Sequence, residues 1–134
     1  MSSIVALDVG DARIGVAIAD STVRFPRPLI TLANDESFVP KLQDIITGEQ
    51  VEHLVIGTPR DINGNETEQT RRTAAFVDSL TSILSVPVTT QDEALTSQQA
   101  EKELEAANKP FTKGDIDALA ACYILQDYLQ EHAS

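Results

Sequence analysis

Three acidic residues stand where chemistry would want them. Asp8 interrupts the apolar run "IVALDVG", Glu93 closes "VPVTTQDE", and Asp117 opens the alanine-rich stretch "DALAACYIL". A carboxylate inside a buried strand is costly to desolvate and asks for a compensating partner, which makes Asp8 the strongest of the three. Oxygen-only ligands suit magnesium, which keeps several waters and needs few carboxylates. Two such ions about 4 Å apart can activate a water and stabilise the departing oxygen of a phosphodiester. The ordinary alternative is that acids at strand ends and helix starts cap the backbone, as Asp115 would. The residues alone leave both readings open. Asp11 and Asp20, which flank the second apolar run, read as turn or exposed residues.

Phosphate chemistry would also call for cations. Arg13, just past the Asp8 turn, could orient a carboxylate, contact a phosphate or lie idle on the surface. Arg60, Arg71 and Arg72 are further candidates for phosphate contact, the last two in the first turns of an expected helix whose N-terminus itself favours anions. Other reactive types fit structural roles better. Cys122 lies among small apolar residues in "ALAACYIL", which suits core packing rather than nucleophilic attack. His53 precedes a strand, His132 belongs to a tail expected to fray, and Tyr123 and Tyr128 read as core-edge residues. With so few aromatics, a base-stacking platform is poorly supported.

The composition narrows the class. A chain of 134 residues fits one domain, 1–134, large enough for a substantial core. A single cysteine excludes an internal disulfide framework and suits a reducing cytoplasm. Two histidines and that cysteine cannot build the usual structural zinc site. Apolar runs are too short for a membrane span, and the first residues do not resemble a secretory leader. The net charge of −11 argues against a tight, nonspecific nucleic-acid binder, because phosphate contacts are made by clustered cations. Binding of nucleic acid would have to be local, metal-assisted or brief.

The elements that must position the acids follow from periodicity. Ile4 to Val9 reads as a buried strand, "RIGVAIAD" as its hairpin partner, and "PLITL" (Pro28 to Leu32) as a third strand. Phe38, Val39, Leu42, Ile45 and Ile46 recur at helical spacing and stop at Gly48. Leu54 to Ile56 forms a short buried strand, a helix starts near Glu68, and "VPVTTQDE" is the fifth strand. A helix follows with Thr96 or Ser97 as N-cap, and Ile116 to Leu129 forms the last. A hairpin followed by strands alternating with helices predicts an α/β fold. Its five-stranded mixed sheet would have antiparallel first three strands, then parallel ones, with helices on both faces. Ligands gather at the carboxyl ends of parallel strands in such sheets.

"VALDVGDARIGVAIAD" resembles the opening motif of the YqgF/RuvX family, the pre-16S ribosomal RNA nucleases once described as Holliday junction resolvases. "LVIGTPRDINGNE" is similar to the family's second motif, "DEALTS" to its third and "DIDALAACYILQDYL" to its last. Four motifs in order cover Ile4 to Leu129. The resemblance implies an RNase H-like fold, with Asp8, Glu93 and Asp117 as catalytic metal-binding carboxylates for Mg2+ or Mn2+, two ions with substrate. Asp8 would bridge them. It departs from the family at Ala94, where an arginine is usual, and in the basic segment before the last motif, reduced here to Lys109 and Lys113. Both changes remove cations that hold phosphate.

The leading expectation is a cytoplasmic, metal-dependent endonuclease that matures the 5′ end of pre-16S ribosomal RNA, with water as nucleophile. Its partners would be RNA, alone or within a ribosomal precursor particle, and no membrane. The chain would act as monomer or homodimer. Two other readings share the fold: a resolvase of branched DNA, which needs a symmetric dimer to cut two strands, and a noncatalytic RNA- or ribosome-associated factor. An actin-like ATP-binding role, suggested by the "DxG" opening, ranks last because the chain is too short for a two-domain cleft.

Overall fold

Branched and small apolar residues alternate through the first two strands, and a two-sided sheet results. The computed structural model describes residues 2–59, 67–93, 96–108 and 110–132, without the side chains of residues 59, 93 and 96–98. Its elements are β1 (Ser3–Val9), β2 (Arg13–Asp20), β3 (Arg27–Ala33), α1 (Phe38–Gly48), β4 (Val51–Pro59), α2 (Glu68–Ile83), β5 (Val88–Glu93), α3 (Thr96–Ala106) and α4 (Lys113–Glu131). The strands lie in the order β3-β2-β1-β4-β5. β2 is antiparallel to both β1 and β3, whereas β4 is parallel to both β1 and β5. This is the mixed sheet expected, antiparallel at one side and parallel at the other.

Strand alternation sorts the core into two layers. Val5, Leu7, Ile14, Val16, Ile18, Leu54 and Ile56 face one side, where Phe38 and Leu42 of α1 and Leu80 of α2 close over them. Each such fully buried side chain contributes about 1.5–3 kcal/mol relative to exposure. Ile4, Ala6, Ala17, Ala19 and Val55 face the other side, under Ala121, Ile124, Leu125 and Leu129 of α4. Small residues on both strand and helix let the α4 backbone come close to the sheet. α3 lies on α4, where the Tyr123 hydroxyl donates to Glu103 Oε2 at 2.6 Å.

Several boundaries differ from the periodicity reading. β4 is nine residues long, so His53 lies inside the strand rather than before it. There its Nε2 is 2.6 Å from Thr89 Oγ1 on β5, and its ring is 5.5 Å from that of Tyr128. α3 already contains Thr96 and Ser97, so neither precedes the helix as a cap. α4 begins at Lys113 rather than Ile116, because Thr112 and Asp115 form a reciprocal capping box: the Asp115 N–H donates to Thr112 Oγ1 and the Thr112 N–H to Asp115 Oδ2. Asp117 therefore sits in the second turn of α4, not the first. His132 is held rather than frayed: its ring stacks on Tyr128 with centroids 4.1 Å apart, and its carbonyl accepts from Arg24 Nη2.

Candidate active site

The site forms where β1 ends and α4 crosses β2. Asp8 continues the alternation of Ile4 and Ala6, so it lies on the α4 side of the sheet. Its cross-strand partner is Gly15. Directly opposed residues of an antiparallel pair share a face, so the face beside Asp8 is empty of side chain at Gly15. The α4 backbone fills that space: a Cβ on Gly15 would collide with the Asp117 carbonyl and the Ala118 nitrogen. A glycine in the middle of a strand thus lets the α4 backbone at Asp117 close onto the residue paired with Asp8, a function of Gly15 that the sequence did not signal beyond the presence of a glycine in a β-branched run.

Arg13 shares that face, two residues from Gly15. Its Nε donates to Asp117 Oδ2 at 2.7 Å, with the arginine side chain 41% exposed and the carboxylate 20%. Arg13 thus holds a carboxylate, one of the roles the sequence leaves open to it. The N-terminal end of α4 is fixed from the other side by Thr31 of β3, whose hydroxyl donates to the Gly114 carbonyl at 2.6 Å.

Glu93 is the last residue of β5, which ends at the same end of the sheet as β1. β1 and β5 are not neighbours but flank β4, two strand spacings or about 10 Å apart. Leu7, Ile56 and Thr90 share a row across the three strands. The Glu93 side chain lies outside the described residues, as do Arg60, Ala94 and Lys109 in their entirety. Among the described residues, no three His, Cys, Asp or Glu side chains converge on one ion position. Asp8 and Asp117 each carry the hard oxygens that magnesium takes, and one or two carboxylates with waters and substrate phosphate suffice for it.

The remaining sequence candidates separate. Arg72 pairs with Asp11: its Nη1 is 3.1 Å from Asp11 Oδ1, and its Nε is 4.0 Å from Glu68 Oε1. Arg71 is exposed on α2. Asp20 accepts from the Thr22 and Val23 backbone N–H groups, which holds its carboxyl below the usual range and makes it a turn residue. Cys122 is buried, and desolvation pushes its thiol up to about 12, in keeping with a packing role. Among the described residues, no helix is long and apolar enough to cross a membrane.

Comparison with known proteins adds the family. The model of the RuvX family, described as Holliday junction resolvase, matches residues 2–131. A protein of Sulfurihydrogenibium sp. (strain YO3AOP1), named "Putative pre-16S rRNA nuclease", is 40% identical over 131 residues, 96% of this chain and 90% of the relative. A relative of the same name from Chloroflexus aurantiacus (strain ATCC 29366 / DSM 635 / J-10-fl) is 40% identical over 135 residues, 98% of this chain and 88% of its own. Among solved structures, RuvC of T. thermophilus in complex with Holliday junction substrate superposes with a TM-score of 0.60 at 15% identity, covering 100% of this chain and 98% of that one. The fowlpox virus resolvase in complex with Holliday junction DNA gives 0.56 at 12% identity, covering 98% and 99%. These two establish the fold, an RNase H-like α/β sheet, and the sequence match establishes the kinship: the chain belongs to the RuvX family.

Proposed function

We propose that the chain is a single-domain, divalent-metal-dependent nuclease of the cytoplasm that hydrolyses phosphodiesters of precursor 16S ribosomal RNA. The observation that carries this reading is the closure of the α4 backbone at Asp117 onto Gly15, the residue paired with Asp8, with Arg13 on the Asp117 carboxylate. The names of the curated relatives support the substrate.

Asp8 and Asp117, joined by Glu93, would hold Mg2+ or Mn2+. Bound there, the metal supplies an activated water and charge stabilisation for the leaving oxygen. Asp8 is rigid because it belongs to a central strand paired on both sides. Asp117 is rigid because its helix is capped at Thr112 and packed on Gly15. Such fixed carboxylates need no rearrangement during reaction, which is how a preorganised site lowers a barrier. Arg13 fixes the Asp117 carboxylate through Nε, and the exposed part of its guanidinium is open to a substrate phosphate. Arg60, Arg71 and Arg72 would add phosphate contacts.

A second reading keeps the same chemistry on branched DNA, favoured by the family's description. Cleavage assays with Mg2+ or Mn2+ on a labelled RNA spanning the 5′ leader junction and on a four-way DNA junction separate the two. The nuclease reading expects RNA cut by the native chain and not by Asp8→Asn. Preferential cutting of the DNA junction, with a dimer in solution, would transfer the assignment to resolution. Cutting of neither substrate would refute this reading.

A further inference from the structure

The turn between β1 and β2 holds out the Asp11 carboxylate toward Arg72 of α2. It is tightly built: the Gly10 N–H donates to the Arg13 carbonyl at 2.8 Å, the Asn34 N–H to the Ala12 carbonyl at 2.9 Å, and Asn34 Nδ2 to the Gly10 carbonyl at 2.7 Å. A Cβ on Gly10 would approach the Arg13 carbonyl to 2.8 Å, so only glycine fits. Braced in this way, the turn presents the Asp11 side chain 88% exposed, 3.1 Å from Arg72 of α2. Between the turn and the helix runs a groove lined by Gly10, Asp11, Asn34, Gln69, Arg72 and Phe76.

An ion pair this exposed adds about 0–1 kcal/mol at most, so stability does not account for it. Its consequence is electrostatic. A carboxylate offers a guanidinium the same charged oxygen acceptors as a phosphodiester, and gives them up at little cost where both partners are solvated. Arg13 and Arg72 stand on opposite sides of the turn, one held by Asp117 and the other by Asp11. We infer that the groove between the β1–β2 turn and α2 is a second contact for the RNA backbone, in which a phosphate displaces Asp11 from Arg72, and that Asp11 is the built-in competitor that weakens this contact. The inference rests on the nuclease reading and extends it from the scissile position across the turn.

The test is the affinity of a fluorescently labelled RNA spanning the 5′ leader junction, read by anisotropy with Ca2+ in place of Mg2+. Asp11→Asn should bind about two- to fivefold tighter than the native chain, the factor that an exposed charge pair corresponds to. Arg72→Ala should bind more weakly, and the gain from Asp11→Asn should vanish in the Arg72→Ala background. Asp44→Asn, on the exposed side of α1, makes the same change in net charge and should leave affinity unaltered. The inference is overturned if Asp11→Asn binds like the native chain, if Asp44→Asn matches its gain, or if the gain persists without Arg72. Cleavage by the native chain and not by Asp8→Asn would leave the nuclease reading standing in each of those cases. Absence of RNA binding by the native chain would remove both.

Discussion

Arg13 and Asp117, 104 positions apart in sequence, meet with Nε 2.7 Å from Oδ2. The contact joins the second strand to the last helix at the point where Asp8 ends its apolar run. Because the arginine is 41% exposed, the pair adds little to stability, about 0–1 kcal/mol. Its value is positional. Arg13→Ala should leave the unfolding midpoint nearly unchanged yet lower the cleavage rate. Arg13→Lys should recover little of it, since an ammonium lacks the planar fork that spans carboxylate and phosphate together. A lysine variant with native kinetics would reduce Arg13 to a point charge.

Gly15 makes a sharper prediction about the fold. A methyl group there would strike the Asp117 carbonyl and the Ala118 nitrogen, which are backbone atoms of a packed helix and cannot swing aside. Gly15→Ala should therefore destabilise by about 1–3 kcal/mol or more, read by denaturant unfolding. It should also reduce activity below what the folded fraction explains, because α4 carries Asp117 away from Asp8. A stable variant with native activity would contradict the close approach.

His53 gives a pH dependence with a definite sign. Burial lowers its pKa, the neighbouring His132 lowers it further, and Glu52 opposes them. The folded state thus holds a neutral imidazole while the unfolded chain takes up a proton below about pH 6.5. The unfolded state binds more protons there, so stability falls as pH drops through that range. Thermal unfolding between about pH 7 and pH 5 should show a steeper loss for the native chain than for His53→Gln. Equal slopes would show that His53 is not the group responsible.

Cys122 should be chemically silent in the folded protein. Its thiol is buried in α4 and pushed up to about 12, so almost no thiolate exists at neutral pH. An aromatic disulfide reagent should label it only after denaturation. Rapid labelling of the native chain would place Cys122 at a solvent-open position.

What could be read in the sequence was what local pattern encodes. Asp8 stood out because a charge inside an apolar strand has few structural excuses, and the order of strands and helices followed from their periods. The sheet's mixed topology came from the hairpin and the later alternation. Contacts between distant segments were a different matter. That Gly15 opposes Asp8 and receives α4 depends on how a helix one hundred residues later packs, and a glycine in a strand carries no such address. The Asp11–Arg72 pair is equally nonlocal. Two further features are local in the sequence: Thr112 and Asp115 have capping-box spacing, which sets the start of α4, and Tyr128 and His132 stand four apart on one helix face.

Asp8 and Asp117 are proposed to hold a divalent cation together. Binding of Mn2+ to the full chain, followed by electron paramagnetic resonance of the free ion, tests it without any substrate. The native chain should bind Mn2+ in competition with Mg2+, and Asp8→Asn and Asp117→Asn should each lose that binding while keeping the native circular dichroism. Native-like Mn2+ binding in both variants would contradict a metal site built on Asp8 and Asp117.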